Sequence, residues 1–140
     1  MREETKYIVI HCSQTRPSQS YVDARTIDRW HRERGWLKIG YGGVILRDGA
    51  YEQGREDNEV QAHVKGYNHT SFGLCLVGGA KEEDWKVGED NFTAEQWGSL
   101  KVQLTRLVKL IISPDKLLEY KRNHLKLIKF PQESIVIKAT

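Results

Sequence analysis

Apolar and polar positions fall in blocks along the chain, and the period within each block predicts an element. Tyr7-Ile8-Val9-Ile10 is an unbroken apolar, β-branched run, the pattern of a central strand buried on both faces. His11 and Cys12 stand at its carboxyl end, ahead of a polar loop from Ser13 to Ser20. Asp23 to Arg34 reads as a first helix, with Ile27, Trp30 and Arg34 on one stripe and Gly35 as its stop. Trp36 and Leu37 are expected to pack beneath it. Gly42 to Arg47 and Ala50 to Gln53 read as a hairpin around the Asp48-Gly49 turn signal. After a loop from Val60 to Asn68, Phe72 to Val77 is a further buried strand, closed by Gly78-Gly79. Lys81 to Asn91 is a polar, acidic connector. Thr93 and Gln96 then form a capping box for a second helix, whose stripe is Trp97, Leu100, Leu104, Leu107, Val108 and Ile111 and whose end is set by Pro114. Beyond Pro114 the pattern degrades. The basic run from Lys116 to Lys129 reads as a solvated helix face, and Ser134 to Ile137 as one short strand. Strands and helices in this order give the α/β class, in which ligands gather at the carboxyl ends of strands. His11 is well placed on that ground alone.

Composition narrows the picture only mildly. The 140 residues suit one domain, and 22 basic against 19 acidic side chains give a net charge of +3. That is too even for a nucleic-acid partner, though compatible with an anionic polymer. The two cysteines, Cys12 and Cys75, lie in apolar runs and read as buried thiols. Neighbouring residues on a strand point to opposite faces, so Cys12 turns away from whatever His11 faces. Trp30, Trp36 and Trp97 read as core, while Trp85 lies in a polar stretch that invites exposure. Arg55, Glu56 and Asp57 read as a solvated charge cluster. No window has the apolar length of a membrane span or a signal peptide, so synthesis in the cytoplasm is expected.

Four stretches carry a resemblance. They are Ile8-Val9-Ile10-His11-Cys12-Ser13; Trp30-His31-Arg32-Glu33-Arg34-Gly35-Trp36; Ile39-Gly40-Tyr41 through Arg47-Asp48-Gly49; and Ala62-His63-Val64-Lys65-Gly66-Tyr67-Asn68-His69 running on to Gly73-Leu74-Cys75-Leu76-Val77-Gly78-Gly79. In order and at these spacings, over residues 5 to 112, the chain resembles the type 2 N-acetylmuramoyl-L-alanine amidases. That class includes phage lysozymes of the amidase type and peptidoglycan recognition proteins. The resemblance implies a mixed central sheet flanked by helices, with a groove across one face. It implies a zinc ion held by two histidines and a cysteine, lowering the pKa of a bound water to roughly 7. The bond cut joins N-acetylmuramic acid to the L-alanine of the peptidoglycan stem peptide, so the implied site of action is the cell wall, after release from the cytoplasm.

Carried over by residue, His11 matches the first zinc histidine and Tyr41 the catalytic tyrosine. His63, Lys65, Asn68 and His69 match the wall of the substrate groove. The family continues Gly40-Tyr41 with histidine or asparagine, whereas Gly42 and Gly43 follow here, and no cysteine occurs after Cys75. The second histidine and the cysteine ligand are unmatched; His63, His69 and His124 are the candidates in this chain to complete a zinc site. The expected organisation is an amidase-like core over residues 1–112, with 113–140 a divergent segment of the same domain, as a replaced or frameshifted end would give. The alternative to a working hydrolase is a peptidoglycan-binding module without catalysis, or a truncated, inactive amidase. Loss of the family's last strand leaves a sheet edge that a homodimer or a rearranged C-terminus would cover.

Overall fold

The computed structural model describes residues 1–111, 126–130 and 134–138, with 109–111 and the last two stretches as backbone. Its strands are β1 (Tyr7–Cys12), β2 (Gly43–Ile45), β3 (Tyr51–Gln53), β4 (Ser71–Leu76), β5 (Lys126–Phe130) and β6 (Ser134–Lys138); its helices are α1 (Ala24–Glu33) and α2 (Ala94–Ile111). The strands form one mixed sheet in the order β3-β2-β4-β1-β6-β5. β4 runs parallel to both β1 and β2, while β1 with β6, β2 with β3 and β5 with β6 are antiparallel.

The sheet is covered on both faces, as the apolar run of β1 requires. Ile8 and Ile10 of β1 join Phe72, Leu74 and Leu76 of β4 and Leu100, Leu107 and Val108 of α2 in one core. Val44, Cys75 and Val77 turn the other way and meet Val22, Ile39 and Ile27 of α1. The alternation along β4 therefore divides the two layers residue by residue.

Local chemistry sets the ends. Asp23 caps α1, its carboxylate accepting from the Thr26 amide at 2.8 Å. The capping box of α2 forms in both directions: the Gln96 amide donates to Thr93 Oγ1 at 3.1 Å and the Thr93 amide to Gln96 Oε1 at 3.0 Å. Gly49 takes φ of +88° at the hairpin turn, which suits a residue without a side chain.

Several expectations are corrected. The buried stripe of α1 is Ile27 and His31 with Trp30 beside them; Arg34 is exposed, because the helix stops at Glu33 and the helical period stops with it. Leu37 is 78% exposed, and Trp36 stays partly exposed while its ring meets His31, with ring centroids 4.5 Å apart, and lies against Gly40. Trp97 is 40% exposed; it lies in the first turn of α2 and packs edge-on to Phe92. Trp85 is 52% exposed. The charged trio is not simply solvated: Arg55 donates to the carbonyls of Ile39 and Val60, each at 2.8 Å, and Asp57 pairs with Arg106 of α2 at 2.6 Å. Residues 126–130 form a strand, not a helix face, because β6 supplies a partner along their whole length.

Candidate active site at the carboxyl end of the central strand

His11 lies one residue from the end of β1, opposite Cys75 of β4 in the parallel ladder. It faces the α1 side of the sheet, where its ring centroid is 5.3 Å from that of Tyr41 and 5.0 Å from that of His63. His11, Tyr41 and His63, far apart in sequence, are thus brought together.

His63 is the most constrained of the three. Its Nδ1 is 2.8 Å from His11 Nε2, and its Nε2 is 3.0 Å from Ser71 Oγ, at the start of β4. Ser71 in turn donates to the Tyr67 carbonyl at 2.6 Å. Asn68 Oδ1 accepts from the amides of both His63 and Val64 at 2.9 Å, closing the loop that carries the ring. The ring rests on Gly73: a Cβ there would come within 2.6 Å of His63 Cγ and Nδ1. A strand residue with no side chain makes the room for an imidazole laid across β4.

Burial keeps these rings neutral. It lowers the His11 pKa from 6.5 to about 4. Burial, with His11 alongside, lowers that of His63 to about 3. Burial also pushes the Tyr41 phenol well above its ordinary range, with the Cys75 thiol as its hydrogen-bond partner, so Tyr41 stays a proton donor.

His31 of α1 is a site neighbour that the sequence reading passed over. Its Nδ1 accepts from the Gly40 amide at 2.9 Å, and its ring centroid lies 5.5 Å from that of Tyr41. The signal was present: His31 follows Ile27 by four residues, on the same stripe. Ser71 was also missed, although period two puts it on the same face of β4 as Gly73 and Cys75.

The glycine at 42 has a physical reason. A Cβ on Gly42 would sit 2.4 Å from both Gln61 Nε2 and the Phe72 ring. Gln61 is buried and accepts from the Gly73 amide at 2.7 Å. The space next to Tyr41 is filled from position 61 instead of position 42.

Of the predicted groove residues, Asn68 is committed at Oδ1 to the loop backbone, while Lys65 and His69 are exposed on that loop. His124 lies outside the described residues. Among the described residues no group of three or more His, Cys, Asp or Glu side chains is close enough to hold a metal ion. The sulfur of Cys12 lies on the far face, where it limits the space at Gly79, and Cys75 is fully buried. A catalytic zinc site takes three protein ligands. The donors among the described residues are two imidazoles, fewer than that requirement.

The model of one family, Amidase_2 (N-acetylmuramoyl-L-alanine amidase), matches residues 1–125. The chain belongs to the N-acetylmuramoyl-L-alanine amidase family. The match to the family runs past Ile112, where the motif resemblance stopped. The endolysin of Escherichia phage T7 is 49% identical over 107 residues, which cover 76% of this chain and 69% of that protein. Among solved structures, the endolysin amidase LysCS of Clostridium intestinale aligns with a TM-score of 0.59 at 31% identity, over 74% of this chain. This amidase-family chain spans only 60% of that one. A Drosophila PGRP-LB variant in complex with tracheal cytotoxin aligns with a TM-score of 0.63 at 28% identity, over 79% of this chain and 66% of that one. These neighbours share the mixed sheet with flanking helices.

Proposed function

We propose that the chain recognises peptidoglycan in a groove around His11, Tyr41 and His63, and that its reaction class is hydrolysis of the N-acetylmuramoyl–L-alanine amide. The observation that carries this reading is the convergence of those three residues at the carboxyl end of β1, within the stretch matched to the amidase family. Tyr41 is held neutral beside His11, and its phenol, once turned from the Cys75 thiol, is the donor that stabilisation of an oxyanion asks for. The exposed Lys65 and His69 border the same loop and suit contacts to stem peptide or sugar.

Zinc is the family's expected cofactor, with His11 as its first ligand. Because the described donors stop at two imidazoles, no step through a metal is derived. That shortfall favours a second reading, in which the chain binds peptidoglycan and does not cut it. One experiment separates the two. Purified protein is assayed for zinc content, for pelleting with insoluble cell wall, and for clearing of a cell-wall suspension with added zinc. Stoichiometric zinc with clearing, both lost in His11→Ala, establishes the hydrolase. Pelleting without clearing establishes the binding module. Absence of pelleting and clearing alike rules out peptidoglycan as the ligand.

A further inference from the structure

We infer that Trp85 and Tyr21 form a platform for the sugar rings of a glycan strand, outside the cluster of His11, Tyr41 and His63. The inference rests on the peptidoglycan reading and extends it to the polymer that runs past the site. Both rings are left to solvent although burial favours them: Trp85 is 52% exposed and Tyr21 63%. They border one loop, residues 13–21, which runs from the end of β1 to the cap of α1, on the side of the sheet that His11 faces.

The backbone beneath Trp85 is fastened. Ala80 and Gly88 form an antiparallel bridge, the Lys81 amide donates to Val87 O at 2.8 Å, and the Val87 amide donates to Asp84 O at 3.0 Å. Two side chains tie this turn to the loop. Gln14 Nε2 donates to Trp85 O at 3.0 Å, and Glu82 Oε2 accepts from the Ser18 amide at 3.0 Å. Gln14 holds φ of +54°, a left-handed conformation that a residue with a side chain enters at a cost. It is the only non-glycine residue to do so among the described residues, and it lies three residues past His11, a stretch that reaches at most about 10 Å. A tryptophan on a backbone held in this way offers a large contact area at little ordering cost.

The surrounding chemistry selects the occupant. A pyranose ring carries C–H bonds on its faces, which the negative face of an aromatic ring attracts, and hydroxyls at its edge. Residues 81–90 supply five carboxylates as acceptors for such hydroxyls, against two lysines. Their net charge of −3 repels an anionic polymer and the carboxylates of a stem peptide. Lys86 Nζ stands over the Trp85 ring, 5.9 Å from its centroid, so the cation that this ring attracts already comes from within the chain. A neutral strand of N-acetylhexosamine rings meets each of these conditions.

Calorimetric titration of the full chain with the N-acetylglucosamine tetrasaccharide, a glycan without peptide, tests the platform. Pelleting with insoluble cell wall, run beside it, tests the peptidoglycan reading. Trp85→Ala should weaken tetrasaccharide binding about tenfold. Tyr21→Ala should weaken it by a smaller factor, and Trp85→Phe should keep most of it. Trp97→Ala, which removes an exposed ring from α2, should bind as wild type does. Equal urea midpoints show that the variants fold. Pelleting together with tetrasaccharide binding that is absent, or unchanged in Trp85→Ala, would overturn the platform and leave the peptidoglycan reading standing. Tetrasaccharide bound through Trp85 without pelleting would support the platform against that reading, and loss of both would overturn both. Oligolysine bound through Trp85 in place of the tetrasaccharide would assign the surface to a cationic partner and overturn the inference.

Discussion

At the scale of single residues, the site depends on what is missing at position 73 as much as on what is present at 11 and 63. A methyl group at Gly73 would collide with the His63 ring at 2.6 Å, and that ring is held between His11 and Ser71. Gly73→Ala should therefore expel the imidazole and cost about 1–3 kcal/mol, the usual range for overpacking a filled interior. Urea unfolding measures the loss, and 1H–15N spectra of the histidine rings should show the signals of His11 and His63 displaced from wild type. Equal stability with an unchanged spectrum would contradict the contact. His31 supports a prediction about pH. Burial, then the nearby Arg34 charge, lower its pKa from 6.5 to about 4 in the folded chain. Between those values the unfolded chain binds the extra proton, so stability rises with pH across that window and is lost as pH falls from 6.5 toward 4. His31→Asn keeps an acceptor for the Gly40 amide and does not titrate. It should reduce the stability lost between pH 7 and 4.5 by about 2 kcal/mol, at roughly 1.4 kcal/mol per pKa unit. Matching urea midpoints for both proteins across that range would remove His31 from the account. His11 was legible in the sequence because an apolar run ending in histidine marks a strand end. Ser71 and His31 were not, since a serine before a strand and a histidine in an amphipathic helix gain meaning only from partners far away in the chain.

At the scale of elements, α2 was the most legible and its attachment the least. The capping box and most of the leucine stripe could be read directly, because both are local patterns. What the local pattern hid is that the capping glutamine is also a bridge. Gln96 Nε2 donates to the carbonyls of Ile45 and Val77, at 3.1 and 2.8 Å, and so ties the start of α2 to the ends of β2 and β4. Gln96→Leu removes the side-chain half of the cap and both bridging bonds at once, and leaves the bond from the residue 96 amide to Thr93 Oγ1. The Ile45 carbonyl still accepts from the Val77 amide at 3.0 Å, so the loss falls mainly on Val77 O and the helix start. A destabilisation of about 1–3 kcal/mol is expected, the range for a buried polar group losing its partner. Thermal unfolding within error of wild type would show that the bridge contributes nothing. The strand at residues 126–130 was misread for the opposite reason: its mixture of lysines and apolar residues suits a helix face equally well, and only pairing with β6 decides between them.

At the scale of the whole molecule, the organising fact is where β1 sits. The sequence pattern required β1 to be interior but could not name its second neighbour. The loss of family motifs after Ile112 led to the expectation of an open edge, covered by a second copy or by a rearranged C-terminus. In the structure β6 lies there, with Ile10 opposite Ile135 and Tyr7 opposite Lys138. The edges of the described sheet are therefore β3 and β5, and pairing of two copies through a sheet edge would have to use one of them. The strand that carries His11 is gripped from both sides, by β4 from within the family match and by β6 from outside it. Val136 lies in the middle of β6, opposite Val9 on one side and Ile128 on the other. Proline at that position removes an amide donor and forces a fixed φ into an interior strand, where proline is excluded from regular pairing. Hydrogen exchange should show the consequence locally in Val136→Pro. Amides of residues 7–10 directed at β6 should lose protection, while those directed at β4 keep theirs. Unchanged protection on the β6 side would mean that β1 does not depend on the C-terminal hairpin. In that case the placement of His11 would rest on β4 alone.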